Sequence, residues 1–149
     1  MIRFKTGDLL KAEEKVIAHQ VNCFGVAGGL AGHVFDNWPD AEQDYMHLVG
    51  RLKPQALLGF AQMTGQKKKG HIICNLFGQY APGADYRPDA LEQALQMLAG
   101  TARTLGWSVA LPYKLSCGIC GGDWDEVLQI IERTMEGVEC VIYQREGDL

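Results

Sequence analysis

The chain of 149 residues lacks any apolar run approaching the ~20 residues needed to cross a bilayer, and its N-terminus has no signal-peptide pattern. A soluble, cytoplasmic protein is therefore expected. Positive charge is also scarce. With 14 Lys and Arg against 18 Asp and Glu, the formal charge is −4 and the pI is near 5.5. That balance disfavours broad electrostatic binding of nucleic acid, which needs a basic face to neutralise phosphates. There is no internal repeat, linker or low-complexity stretch, and the length fits one domain spanning residues 1–149. The 5 cysteines (Cys23, Cys74, Cys117, Cys120 and Cys140) are an odd count in apolar stretches, which argues against a disulfide framework and for a reducing compartment. The histidines His19, His33, His47 and His71 are scattered, and no second C-x-x-C accompanies Cys117 and Cys120, so no metal and no other cofactor is expected. Neither G-x-x-x-x-G-K-[ST] nor G-x-G-x-x-G occurs, which removes the common NTPase and dehydrogenase readings.

The chain does have an ordinary globular balance, 47% hydrophobic and 21% charged. Short β-type runs fall at residues 2–4, 15–21, 58–64, 71–77, 107–111 and 138–143. The run 15–21 (KVIAHQV) is apolar enough to be covered on both faces. Helical patterns lie between the runs: a short one over 30–37, one opened by Pro39, the longest from Pro88 to a Gly106 cap, and one beginning at Asp123. Asp123 with Glu126 has capping-box spacing. Runs 58–64 and 71–77 predict a hairpin, with Lys67, Lys68 and Lys69 in its solvated turn. The expected class is α/β with a mixed six-stranded sheet.

Glycine is the informative excess, 18 of 149 residues, against the ~7% that is usual. Gly25, Gly28, Gly29 and Gly32 follow the run 15–21; Gly118, Gly121 and Gly122 follow the run 107–111. Each cluster joins a strand to a helix start. There glycine lets backbone N–H groups approach an anion, and the helix N-terminus adds unpaired donors. Either both are tight turns, or they hold two phosphates at one end of the sheet. Phe24 and Tyr80 have two readings as well: stacking on a sugar or base, or ordinary packing.

Four segments in order carry a family resemblance: Gly7-Asp8-Leu9-Leu10; Val21-Asn22 with Gly28-Gly29-Leu30-Ala31-Gly32; Pro112; and Ser116-Cys117-Gly118-Ile119-Cys120-Gly121. Together they resemble a macro domain over essentially the whole chain. Asn75-Leu76-Phe77-Gly78-Gln79 and Gly121-Gly122-Asp123-Trp124 are most similar to the small stand-alone bacterial and phage type. The resemblance implies a three-layer α/β/α fold that recognises ADP-ribose or a derivative. By position, Asp8 would take the adenine amino group with Leu9 alongside. Ala27, Gly28, Gly29 and Leu30 would hold the pyrophosphate and face the distal ribose, with Asn22 near that ribose. Ser116, Cys117, Gly118, Ile119, Cys120 and Gly121 would wrap the phosphates.

The resemblance also bears on turnover. One de-ADP-ribosylating branch pairs two asparagines with an aspartate; here Asn22 is present, but Gly25 and Ala31 occupy the other positions. Another uses a lysine and an aspartate, where this chain has Gln79 and Cys120. A third, a phosphatase of ADP-ribose 1″-phosphate, has a histidine where His19 stands, with Asp123 as the nearest aspartate. His19 would activate water or protonate a leaving oxygen, and Asp123 would hold its tautomer. From the residues alone His19 also reads as a core histidine and Asp123 as a helix cap. A reader without turnover, a hydrolase with an atypical site, and a Cys117-x-x-Cys120 redox pair are the alternatives.

Overall fold

Val16, Ile17 and Ala18 are all fully buried, so the strand they build must be covered on both faces. A computed structural model of the protein, describing residues 2–66 and 70–148, shows how. The strands are β1 (Ile2–Thr6), β2 (Val16–Gln20), β3 (Ala61–Gly65), β4 (Ile72–Leu76), β5 (Val109–Pro112) and β6 (Cys140–Gln144). They form one sheet in the order β1-β6-β5-β2-β4-β3. All neighbours are parallel except β3, which returns antiparallel beside β4. The expected lysine-bearing tip of that hairpin, Lys67 to Lys69, lies outside the described residues.

Side chains alternate between the two faces, and each face has its own core. Ile17, Ile73, Ala110 and Val141 pack with Val34 and Phe35 of α1 (Gly29–Asn37), Ala41 and Tyr45 of α2 (Pro39–Arg51) and Leu57 of α3 (Pro54–Leu57). Val16, Ala18, Val109, Leu111 and Ile142 pack with Leu91, Leu95 and Leu98 of α4 (Pro88–Leu105) and Val127 and Ile131 of α5 (Trp124–Thr134). The result is the three-layer α/β/α arrangement. Pro88 opens α4, and Gly106 closes it in the left-handed conformation, φ +68°. Among the described residues no helix is long and apolar enough to cross a membrane.

One expected strand is shorter than its apolar run. Residues 58–60 precede β3 instead of belonging to it, because Pro54 starts the short α3 and Gly59 then turns the chain at φ +89°. A Cβ at Gly59 would collide with Gln93 Oε1, so α4 packs directly on this turn.

The segment leaving β2 is held by side chains. Asn22 Oδ1 accepts from the Phe24 N–H at 2.9 Å, and Asn22 Nδ2 donates to the Val26 carbonyl at 2.7 Å. Buried Tyr45 donates its hydroxyl to the Asn22 carbonyl at 2.7 Å and accepts the Gly25 N–H at 3.1 Å. Tyr45→Phe therefore strands two loop groups, at an expected cost of about 1–3 kcal/mol. Thermal unfolding should show a Tm drop of several degrees, with faster amide exchange at Gly25; an unchanged melt and exchange rate would mean that the hydroxyl does not hold the loop.

Candidate ligand cleft

Because β1, β6, β5, β2 and β4 run parallel, their carboxyl-terminal loops gather at one end of the sheet, where open α/β sheets bind ligands. A cleft of about 690 Å³ lies there. In strand order, it is lined by Asp8, Leu9 and Leu10 after β1, by Tyr143 and Arg145 at the end of β6, and by Pro112 at the end of β5 with residues 113–120 after it. Gln20 closes β2, and the start of α1 contributes Gly28, Gly29, Leu30, Ala31 and His33.

Two stretches of open backbone donors line this space. The N-cap of α1 is Gly28, which has no side chain to cap with, so the first N–H groups of the helix, at Gly29, Leu30 and Ala31, have no partner within it. After β5, no hydrogen bond occupies the N–H groups of Ser116, Gly118, Ile119 and Cys120 among the described residues. That second loop is strained and pinned. Lys114 and Ser116 both sit in the left-handed region, at φ +58° and +68°, a conformation costly for side chains other than glycine. The Gly122 N–H closes the loop onto the Ser116 carbonyl at 2.8 Å, and the Ser116 hydroxyl donates to Gln20 Oε1. A Cβ at Gly122 would lie 2.6 Å from the Ser116 oxygen, so only glycine fits.

No protein-family model matches the chain. It is 31% identical over 149 residues to the DNA ADP-ribosyl glycohydrolase of Thermus aquaticus, covering 97% of this chain and 41% of that protein. Its fold superposes on the macrodomain of Mycobacterium tuberculosis DarG with a TM-score of 0.83 at 27% identity, covering 96% and 97% of the two chains. The macrodomain of Thermus aquaticus DarG gives 0.81 at 29% identity, covering 97% and 98%. The chain has a macrodomain fold. It spans about two fifths of the length of the curated relatives it matches.

Of the residues nominated from the sequence, Asp8, Leu9, Gly28, Gly29, Leu30, Ser116, Cys117, Gly118, Ile119 and Cys120 line the cleft. Asn22, Ala27 and Gly121 do not; they shape the loops behind it. Asn22 is occupied by its own loop, and Gly121, at φ +84°, bonds to the Gly118 carbonyl at 3.1 Å. The cleft residues overlooked in the sequence include Gln20, Tyr143 and Arg145. Their signal was available: each stands at or just past the carboxyl end of a parallel strand, where a polar residue following an apolar run faces the crevice.

The structure does not bring the nominated catalytic pair, His19 and Asp123, to the cleft lining. His19 alternates with Ile17 and so faces α1 and α2, inside the core and away from the cleft lining. It is fully buried, donates from Nε2 to Asn75 Oδ1 at 2.6 Å, and meets the Phe35 ring edge-on at 5.2 Å. Asn75 Nδ2 donates to Gln62 Oε1 at 3.1 Å, which orients its oxygen toward His19 and places the imidazole proton on Nε2. Burial pushes the His19 pKa down to about 4, against the pull of the Asn75 bond. Asp123 is exposed and caps α5, accepting the Asp125 N–H at 3.1 Å. The capping box is half made, since Glu126 accepts the Tyr86 hydroxyl at 2.6 Å.

The redox alternative also loses its chemistry, which requires a depressed thiol pKa. Burial first, then the Asp123 charge, pushes Cys117 up to about 11 despite Lys114. Burial likewise raises Cys120, although Gln20 and the Asp85 backbone bond to it. Among the described residues no group of three His, Cys, Asp or Glu side chains is placed to hold a metal.

Neutral His19 should make this domain acid-sensitive. The unfolded chain takes up a proton near pH 6.5, whereas the folded chain does so only near 4. The stabilisation is complete above pH 6.5 and falls by about 3 kcal/mol as pH drops to 4. Urea unfolding at pH 7.5 and 4.5 should show wild type losing more stability than His19→Gln over that interval; parallel losses would show that His19 does not drive the effect.

Proposed function

We propose that this macro domain binds ADP-ribose, with the diphosphate on its two N–H-rich loops and adenine beside Asp8. The observation that carries the reading is that the uncapped start of α1 and the 116–120 loop line one cleft. Helix N-termini and clustered backbone donors hold phosphate without any basic side chain, which suits a protein of net charge −4. The cleft volume of about 690 Å³ lies within the usual range for small-molecule sites. Asp8 Oδ1 is taken by the Leu10 N–H at 2.9 Å, which fixes the carboxylate and leaves Oδ2 to accept the adenine amino group.

A second reading adds turnover. The Thermus aquaticus relative is a DNA ADP-ribosyl glycohydrolase, and on this reading the present chain releases ADP-ribose from DNA. Water would replace the DNA at C1″ of the distal ribose, with Gln20, Ser116 and Cys120 supplying the polar groups around it. A phosphatase working through His19 is no part of this reading, because that ring is enclosed on the other side of β2. Five unpaired cysteines fit action in the reducing cytoplasm.

Gly28→Glu tests the binding mode. Gly28 has φ −125° and ψ 172°, open to any residue, and a Cβ there meets nothing within 4 Å. The ligand-free melting temperature should stay unchanged while affinity for ADP-ribose, measured by titration calorimetry, falls about tenfold or more from like-charge repulsion. No heat and no thermal stabilisation of wild type by ADP-ribose would refute the reading. Incubation with ADP-ribosylated single-stranded DNA then separates the two forms: free ADP-ribose means a glycohydrolase, bound and intact substrate a reader.

A further inference from the structure

We infer that Phe24, Tyr80 and Arg87 form a stacking subsite for a nucleobase of the DNA strand that carries ADP-ribose. This rests on the ADP-ribose reading above. Strand order sets the direction. Asp8 follows β1 at one edge of the sheet, while β2 and β4 lie beyond β6 and β5. A ligand with adenine at Asp8 and its diphosphate over the α1 start therefore sends its C1″ end toward β2 and β4. Phe24 follows β2 and Tyr80 follows β4, on the same end of the sheet as the cleft. Gln79, next to Tyr80, accepts from the cleft residue Gln20 at 3.4 Å.

The three side chains make a preorganised surface. The Phe24 and Tyr80 rings meet edge-to-face at 5.2 Å, and the Arg87 guanidinium lies 5.2 Å from the Tyr80 ring centre. The backbone under them is tied, with the Cys23 N–H on the Tyr80 carbonyl at 2.9 Å. Asp85 accepts from the Ala81 N–H and from Arg87 Nε, both at 2.8 Å. Phe24 nonetheless stays 43% exposed and Val26 56% exposed, so an apolar face stands open, tied to the cleft through the Gln20–Gln79 hydrogen bond. Aromatic faces backed by a guanidinium accept stacked bases with little regard to sequence. The net charge of −4 points to contact with one base, not with a run of phosphates.

The test compares three probes at equal salt: free ADP-ribose, an ADP-ribosylated single-stranded oligonucleotide, and an ADP-ribosylated peptide. Affinity is read by titration, or kcat/KM where a linked probe turns over. Wild type should prefer the oligonucleotide to the peptide by about tenfold, with a shallow salt dependence. Phe24→Ala should abolish that preference while free ADP-ribose binds as before, and Phe24→Trp should keep it. Equal use of the oligonucleotide and the peptide, or an unchanged preference in Phe24→Ala, overturns the subsite and leaves the ADP-ribose reading intact. Failure of wild type to bind free ADP-ribose overturns both.

Discussion

Parallel pairing of β1, β6, β5, β2 and β4 is the constraint on which everything else depends. It delivers five carboxyl ends to one edge of the sheet, and the loops that leave that edge must turn back into helices on one face or the other. Each such turn exposes backbone donors that the sheet has stopped using and the helix has not yet taken up. Most proteins cap these donors with Ser, Asp or Asn. Here α1 begins behind Gly28 with no side-chain cap, and α5 alone of the two neighbouring cases has its aspartate cap, Asp123. An uncapped start costs stability and leaves positive potential directed at the cleft. That trade would let an anionic chain hold the anion proposed for the cleft.

Open donors are useful only if they are stationary. The first loop is fixed from below by Asn22 and Tyr45, and the second by Ser116, Gln20 and Gly122. The left-handed Lys114 and Ser116 fit the same picture. Two unfavourable residues within three positions persist because hydrogen bonds from Leu115, Cys117 and Gly122 to the loop's own carbonyls hold them there. The glycines thus have separate duties: Gly28 leaves space, while Gly122 lets one backbone approach another.

Much of this was legible in the residues, and the failures have physical causes. Apolar runs located all six strands, and the two glycine clusters located the cleft loops, because strand-to-helix turns need glycine for the same reasons that anions do. The start of β3 was misplaced because residues 58–60 are as apolar as a strand but turn at Gly59, and periodicity does not register its left-handed conformation. The side of the sheet on which His19 lies was not legible because β2 is covered on both faces. When every position is apolar, alternation does not say which side meets the cleft, and a family position stood in for geometry. Gln20, one residue later, faces the cleft on the opposite side of that strand.

That displacement gives His19 a different job. It is paired in register with Asn75 across β2 and β4, and its ring bonds to the Asn75 side chain, which in turn holds Gln62 of β3. Apolar pairs such as Ile17 with Ile73 tolerate sliding, since one aliphatic contact replaces another. A buried imidazole facing a buried amide does not, because a slip would leave both polar groups unpaired. The polar pair therefore specifies the β2–β4 register, and that register sets where both strands end. Gln20 and Gln79 meet at the cleft because of it, so a histidine outside the cleft lining still helps to set the shape of the cleft floor.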